Sequence, residues 1–536
     1  MRKAILAIAL FILCALNAQA TNYYFDIASG NDTTGDGTYG SPWKTIDKCT
    51  TGRSGGDECR AAKTAISTLA GTCTFTNGSA TVNTSQDLSA AVASGDLIGK
   101  NTGVDGWWVV SSANTTTITL TNQYWAPTGS GSAATAYKVT PVTASEKFDV
   151  NANGSAGSYV KISGGWTLAT QAQDGITAFL GYSTGDAILL NNDNYIEITN
   201  FIIRAGSLGA AINNSGGKYN YFHDIFIADC GYPAAVEQSS FNTWENIYIT
   251  SGTGVGFNLP GAIMCSFKNI YIYSPGNGTG EHGVTVSGTA GSVFENLRVY
   301  NSYDDNINFA GDFGFNHFKD CYFVTNRRAL NANNITFSDS SKENRFYNTT
   351  ASGAVVYTVN CSTGSGTNYF IDSNFTAGGT GLILAGGTTR DVMYYPSVVY
   401  NATGSDTVRY YNTRGTVTID SSAAARSGKA LKFAPVYAGC PMAEKVGNLK
   451  IANTGADITL GIYIKDDASF DGLVHLLSSR NGKLLVLEPK TPTTSYAQVT
   501  VTIAAADLVA NEYLDLYVIV QGSAGNVWAD DFSASQ

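Results

Sequence analysis

The sequence predicts an all-β protein centred on a parallel β-helix solenoid, with a small inserted β-domain near the N-terminus and a C-terminal β-sandwich. Three observations predict this: a motif that recurs about every 24 residues, short strand-like segments between Gly, Asn and Ser turns, and no repeat with helix-length apolar periodicity. The predicted boundaries are a signal peptide at 1–20, an entry strand and cap at 21–71, the inserted domain at 72–142, the solenoid at 143–405 and the sandwich at 406–536.

The recurring motif is an aromatic residue (Ile in the first copy), any residue, and then Asn or Asp. Its eight copies begin at Ile198, Phe222, Trp244, Phe267, Phe294, Phe318, Phe346 and Phe370, with spacings of 24, 22, 23, 27, 24, 28 and 24 residues. If each repeat forms one coil, and coils stack about 4.8 Å apart, the aromatic residues form one buried column. The Asn and Asp residues, which tolerate left-handed backbone, are expected to form a second column in a tight bend.

These repeats, together with the beginning of the mature chain, resemble secreted right-handed parallel β-helix proteins of the pectate-lyase-like superfamily. The N-terminal part of the resemblance lies in residues 24–46, which contain YFDIASGND, GDG and SPWKTI. The resemblance implies the fold. It implies no single function, because such folds host lyases, hydrolases, epimerases, phage spikes and adhesins.

The N-terminus predicts secretion to an extracellular or cell-surface location. Arg2 and Lys3 precede an apolar run that ends in the cleavage pattern Ala18-Gln19-Ala20, and no later apolar run is long enough to span a membrane. With 42 acidic and 32 basic residues, the formal charge of −10 argues against a nucleic-acid partner. It also argues against tight binding of anionic polymers unless a local basic patch or a metal ion intervenes. The expected partner is a polysaccharide or cell-surface glycan, and the oligomeric state stays open.

Eight cysteines remain after signal cleavage. Cys49 and Cys59 flank a short Gly-rich loop, and a disulfide between them is expected in an oxidising compartment, with Cys73 as a further candidate. The other five are expected to be mostly buried thiols. The sequence contains no Cys-x-x-Cys motif and no Cys/His cluster, so it does not predict a zinc site.

The segments outside the solenoid offer candidate sugar-binding aromatic residues. Residues 72–142 read as short alternating strands, and residues 57–70 are the one stretch predicted to be helical, as a plug for the solenoid end. The candidates for stacking on sugar rings are Trp107, Trp108, Tyr124 and Trp125 in the insert, and Tyr437, Tyr463 and Tyr496 in the last domain. Most aromatic residues in β-domains belong to the core, which is the competing interpretation.

The last domain shows strands with turn signals about every ten residues, typical of a sandwich. Its opening SGKALKF, at 427–433, and its ending VWADDF, at 527–532, resemble jelly-roll carbohydrate-binding modules. That resemblance implies a structural calcium ion held by Asp530 or Asp531. The alternative is that this Asp pair only faces solvent.

Charged residues are sparse in the solenoid, so one group stands out. Glu281-His282, Asp304-Asp305 and Arg327-Arg328 are spaced by 23 and 23 residues, which predicts one polar patch on three successive coils. Two carboxylates are what a glycosidase needs. A base together with an arginine, or with an Asp-bound calcium ion, suits a polysaccharide lyase. The competing interpretation is a surface ion-pair network, and the motif order differs from that of polygalacturonases, which have an Asp-Asp pair before Gly-His-Gly and Arg-x-Lys.

The sequence thus favours a polysaccharide-interacting solenoid, as a lyase or a glycoside hydrolase. The alternatives are a non-catalytic adhesin, fibre or structural protein, or, against the signal peptide, a phage tailspike. The sequence does not name the glycan.

Overall fold

The structure is a computed structural model. It describes residues 20–535 except 101–105, 125–130, 205–207, 232, 274–275, 277–279, 311–313, 327–332, 339–343, 362–367, 372, 377–380, 386–391, 395–398, 401–414, 421–429, 436–441, 452–453, 481–482, 511–512 and 522–523. The predicted signal peptide therefore lies almost wholly outside the described residues. No helix among the described residues has the length and apolar character needed to cross a membrane.

The chain forms two compact units, Met1–Asn308 with Thr325–Ala332, and Phe309–Val324 with Asn333–Gln536. Both contain parallel coils, and the antiparallel sheets are additional, so the predicted fold class of a parallel β-solenoid with further β-domains is confirmed.

Each coil of the first unit contributes strands to two parallel sheets. The first sheet contains Asn22–Phe25, Glu58–Ala62, Val142–Thr143, Val160–Thr167, Ala172–Gln173, Thr177–Leu180, Ile196–Arg204, Tyr221–Cys230, Thr243–Gly252, Ser266–Tyr273, Val293–Glu295 and Arg298–Tyr300. The second sheet contains Phe148–Val150, Ile188–Asn191, Ile212–Ser215, Ala235–Glu237, Phe257–Pro260, Val284–Ser287 and the strand Ile307–Ala310 at the unit boundary. Arg53–Ser54 and Ala152–Asn153 form a separate parallel pair.

The predicted aromatic column lies inside these coils. Phe222, Trp244, Phe267 and Phe294 occupy successive coils in register and are buried. The rings of Phe222 and Trp244 stack with centroids 4.0 Å apart, and those of Phe267 and Phe294 stack 4.6 Å apart. Neighbouring coils therefore bury each other's apolar surface, which a single coil cannot do.

The predicted Asn/Asp column lies at the bend within the first sheet. Asp224, Asn246, Asn269 and Asn296 all have φ between 53° and 56°. The side-chain amide of each Asn donates to the side-chain oxygen of the preceding coil, over 3.0, 2.9 and 2.8 Å. Asparagine thus meets two needs here, because it tolerates left-handed backbone and its side chain forms a hydrogen bond to the neighbouring coil.

A second corner, after each strand of the second sheet, is also left-handed but carries bulky residues. Tyr195, Tyr219, Phe241 and Met264 have φ between 53° and 62°. Tyr219 stacks on Tyr195 at 4.9 Å and on Phe241 at 5.1 Å, although Tyr219 and Phe241 are 40% and 42% exposed. This conformation is rare for large side chains.

The coil interior also holds a carboxylate. Glu237 is fully buried and accepts hydrogen bonds from the side chains of Asn214, Asn242 and Trp244 and from the backbone N–H of Ser239. Burial raises its pKa to about 7, against the opposing effect of these bonds. The hydrogen bonds tie residues of successive coils to one buried acceptor.

The inserted domain is an eight-stranded antiparallel sheet that packs on the first sheet of the solenoid. Its strands are Ile66–Thr68, Cys73–Thr74, Thr81–Thr84, Leu97–Lys100, Trp107–Ala113, Thr117–Leu120, Ala133–Ala134 and Ala136–Val139. Leu97, Trp107 and Val109 share an apolar cluster with Ile202 and Ala228 of the solenoid.

The predicted helix at 57–70 is wrong. Glu58–Ala62 is a strand that pairs with Asn22–Phe25 and with Val160–Thr167, and Ile66–Thr68 is a second strand. The helix of the N-terminal region is the short Ile46–Thr50. Burial alternates along Glu58–Ala62, and pairing with neighbouring coils outweighs the helical preference of its alanines.

The second unit contains further parallel coils and then the sandwich. Its coil strands include His317–Lys319, Arg345–Tyr347, Thr350–Ala354, Asn368–Ile371, Asn374–Thr376, Val392–Tyr394 and Val399–Tyr400 in one sheet and Ile335–Ser338, Tyr357–Cys361 and Gly381–Ala385 in another, while Tyr322–Asn326 crosses the unit boundary. Phe318 and Phe346 stack at 4.5 Å, and Asn316, Asn344 and Asn368 form a buried ladder over 2.9 Å bonds. The second unit thus repeats the same construction.

Two antiparallel sheets enclose the sandwich core. One sheet has five strands: Gly415–Asp420, Ala430–Pro435, Ile458–Asp466, Ala497–Ile503 and Val527–Ser535. The other sheet has four strands: Met442–Lys450, Leu473–Arg480, Lys483–Lys490 and Tyr513–Gln521. A 3-10 turn, Ala505–Asp507, follows the strand Ala497–Ile503. The core includes Phe433, Ile462, Leu476 and Val518 from both sheets.

We expect Asn246→Ala to destabilise the protein by about 2–3 kcal/mol, because it breaks two ladder bonds and places alanine at a left-handed position. Urea unfolding measures this change. The control is Asn83→Ala, on an exposed strand position of the insert, which is expected to change stability by less than about 0.5 kcal/mol. Equal effects of the two substitutions would contradict the ladder's importance.

Candidate functional site

The predicted polar patch is partly assembled in the first unit, at the turn that precedes the second sheet. The backbone N–H of Gly283 donates to the carbonyl of Asp305 at 2.9 Å, and that of Asp304 donates to the carbonyl of Glu281 at 3.3 Å. These bonds place Glu281 and His282 on one coil directly beside Asp304 and Asp305 on the next. We call Glu281, His282, Asp304 and Asp305 the Asp–His site.

His282 is the buried centre of the Asp–His site, with 8% of its surface exposed. Its Nδ1 accepts the backbone N–H of Asp305 at 3.2 Å, and its Nε2 lies 2.8 Å from the side-chain amide of Asn308. Burial lowers the pKa of His282, and the negative charge of Asp304 only partly opposes this. The ring is therefore neutral at neutral pH.

The two aspartates differ in exposure. Asp305 is 5% exposed and its Oδ2 lies 3.8 Å from Nδ1 of His282, whereas Asp304 is half-buried and accepts the backbone N–H of Gly280 at 2.8 Å. Ligand atoms of His282, Asp304 and Asp305 all lie within 4.8 Å of one another. This separation is shorter than the 6.5–9.5 Å typical of inverting glycosidases and close to the roughly 5 Å of retaining ones.

The carboxylate oxygens and ring nitrogens of this site also decide whether it can bind calcium. Calcium takes oxygen ligands, which Asp304 and Asp305 supply. His282 does not fit that role, because both ring nitrogens are already in hydrogen bonds and nitrogen is a poor calcium ligand. The site therefore fits a cation through its carboxylates alone.

Arg327 and Arg328 lie outside the described residues. The strand spacing of the next repeat is longer than 23 residues. The strands after His282 and Asp305 begin at Val284 and Ile307, but the next strand of this type begins at Ile335. That repeat is 28 residues long, so its counterpart of Asp305 is Asn333. Asn308, which contacts His282, was missed, although its place three residues after Asp305 on the adjoining strand marks it as a neighbour.

The prediction that Trp107 and Trp108 stack on sugars is wrong. Both are 1% exposed: Trp107 packs the insert against the solenoid, and Trp108 lies in the core of the insert. Tyr124 is buried in the same core, which contradicts its prediction as well. Trp125 and Tyr437 lie outside the described residues. Tyr463 is half-buried on the five-stranded sheet of the sandwich, opposite Asp530.

The remaining predicted residues lie on the last strand of the sandwich and near the N-terminal cap. Asp530 is buried on that strand and its side chain accepts the backbone N–H of Asp531, whose φ is 52°. Cys49 and Cys59 form a disulfide with Cα atoms 5.9 Å apart, and Cys73 is free and buried.

A second charged cluster, missed in the sequence, lies on the outward face of the first sheet. His223 contacts the carboxylates of Asp224 at 2.7 Å and Glu197 at 3.1 Å, and Lys161 pairs with Glu197 at 3.0 Å. Burial lowers the pKa of His223, but the bonds to Asp224 and Glu197 outweigh it and raise that pKa to about 9. These cations and carboxylates neutralise each other, so the cluster is a stabilising network. Lys161 and Glu197 lie at equivalent positions of neighbouring coils, and His223 lies two positions further along the strand of the next coil.

No protein-family model and no curated protein matches the chain, but solved structures do. A rhamnogalacturonan lyase matches with 13% identity over 72% of this chain and 84% of its own, at a TM-score of 0.38. An alginate lyase from Paenibacillus sp. str. FPU-7 matches with 12% identity over 70% and 99%, at 0.33. A family 16 carbohydrate-binding module matches with 17% identity over 22% and 85%, at 0.17. These values transfer no residue role to this chain.

His223 leads to a pH prediction. Because its folded pKa of about 9 exceeds the unfolded value of 6.5, its contribution to stability is complete below pH 6.5 and is lost as the pH rises through about 9. We expect His223→Gln to flatten the decline of melting temperature across this interval. His317→Gln is the control, since burial lowers the pKa of His317. A wild-type decline that both variants share would refute the assignment to His223.

Proposed function

We propose that this protein is a secreted polysaccharide-active solenoid that cleaves an extracellular glycan at the Asp–His site, as a polysaccharide lyase or a glycoside hydrolase. The observation that supports this most is the convergence, from adjacent coils, of two carboxylates within 4.8 Å and a buried neutral imidazole. Carboxylates and imidazole are the side chains that most often transfer protons to and from reacting sugars.

The hydrolase form of the proposal uses Asp304 and Asp305 as the carboxylate pair. Asp304, the more exposed of the two, is placed to meet the substrate. Asp305 and Asn308 position His282 from either side of its ring. The close spacing of the carboxylates favours retention over inversion.

The lyase form needs a base for the C5 proton and a positive charge beside the uronate carboxylate. His282 is the imidazole of the site, but both of its ring nitrogens already contact other polar groups, which favours a carboxylate as the base. If Asp304 and Asp305 both hold a calcium ion, that ion supplies the positive charge and Glu281 is the base. If one of the aspartates is the base, the positive charge would come from Arg327 or Arg328. A requirement for calcium distinguishes this form from the hydrolase.

The alternative is a non-catalytic adhesin. The cluster around His223 favours this alternative in one respect. Its charged side chains, from adjacent coils, pair with one another and stabilise the solenoid. A structural calcium at Asp530 or Asp531 remains part of either proposal.

We expect Asp305→Asn and Asp304→Asn each to lower depolymerisation by about 10²–10⁴-fold, because each removes a proton-transferring or charge-stabilising carboxylate. Wild type and variants are incubated with a panel of acidic and neutral glycans, with calcium or with a chelator. Reducing ends report hydrolysis, and the ultraviolet absorbance of unsaturated uronates reports elimination.

The control for this experiment is Asp87→Asn, an exposed acidic residue of the insert, which is expected to retain full activity. Melting temperatures show whether the buried Asp305 position tolerates the change. If wild type cuts no glycan on the panel in either condition, the catalytic proposal fails and the adhesin alternative takes its place.

A further inference from the structure

The outward face of the five-stranded sandwich sheet carries an alternating row of cations and aromatic rings. Lys432 lies directly opposite Trp528 on one neighbouring strand, and Lys465 lies opposite Trp528 on the other. The flanking residues Leu431, Phe433, Val527 and Ile464 pack on the core, so the strand alternation turns this row away from it.

The ammonium groups lie over the aromatic rings. Nζ of Lys432 is 5.5 Å from the Trp528 ring centroid, and Nζ of Lys465 is 4.9 Å from the centroids of both Trp528 and Tyr496. The row Lys432, Trp528, Lys465 and Tyr496 therefore runs across the strands for about 14 Å, three strand spacings.

The two lysines of this row lack the carboxylate partner that several other described lysines have. Within the part of the chain that the structure describes, neither Lys432 nor Lys465 forms an ion pair, whereas Lys63, Lys138, Lys161 and Lys490 each pair with a carboxylate. This row thus brings two half-buried cations together on one face, in a protein with a net charge of −10. They form the local basic patch that tight binding of an acidic polymer requires.

We infer that this row binds an acidic polysaccharide, with Lys432 and Lys465 contacting the anionic groups of separate sugar units. The inference rests on the proposed function, since it names the substrate class of a polysaccharide-active protein and assigns its capture to the sandwich. Because Trp528 is only 8% exposed, the half-buried Tyr496 ring offers the larger apolar contact beside the charges. A neutral glycan gains nothing from the ammonium groups, so charge decides the preference.

The test is calorimetric titration of the full chain in the Asp305→Asn background, which prevents cleavage during the measurement. The probes are oligogalacturonate, its fully methyl-esterified form, and oligomannuronate. We expect an acidic probe to bind more tightly than the ester, with an affinity that falls as salt is added. The double variant Lys432→Gln, Lys465→Gln is expected to bind the acidic probe about tenfold more weakly, as loss of a charged contact predicts, and the ester unchanged.

The control is Lys490→Gln, which removes the same charge from the other sheet of the sandwich, where Lys490 pairs with Glu488. The inference is overturned if no acidic probe binds, if acid and ester bind equally, or if the double variant binds like its parent. Catalysis is read separately from product formation. Acid-selective binding that depends on the two lysines, without any cleavage, would leave this inference standing while the catalytic proposal falls.

Discussion

The stacking of coils one strand spacing apart is the constraint on which the solenoid depends. It brings residues about 24 positions apart into contact, so that each side chain in a column packs against or hydrogen-bonds to its neighbours above and below. Phe222 buries its ring against Trp244, and Asn246 satisfies Asp224 with its amide. The energy of the fold therefore resides in contacts between neighbouring coils, as in other repeat proteins.

The same stacking builds the Asp–His site. His282 and Asp305 occupy equivalent places on successive coils, and neither coil alone contains both a carboxylate and the ring nitrogen that it faces. The rigid strands of the second sheet hold the turn in place, while Asn308 and the Asp305 backbone fix the orientation of the imidazole. A site of this kind needs no mobile loop to bring its groups together.

The sequence predicted the features that a constant repeat imposes and failed where the repeat changes. The aromatic and Asn/Asp columns were predictable because both obey one spacing. A constant spacing of 23 does not continue past Asp305, because the repeat lengthens to 28 residues between Ile307 and Ile335. Trp107 and Trp108 were misjudged because a core aromatic residue and a sugar-binding one look alike in sequence. Lys432, Lys465 and Trp528 come from separate antiparallel strands, whose register no local pattern reveals.

The left-handed corner of Tyr195, Tyr219, Phe241 and Met264 bears on whether coils are interchangeable. The Asn/Asp bend is nearly uniform, so by itself it would accept its coils in any order. The bulky corner is not uniform, because the strain of Tyr195, Tyr219 and Phe241, at about 1–2 kcal/mol each, is offset by stacking between these particular rings on neighbouring coils. Exchanging the coils would leave Tyr219 or Phe241 without its stacking partner, so this corner specifies the order of the coils.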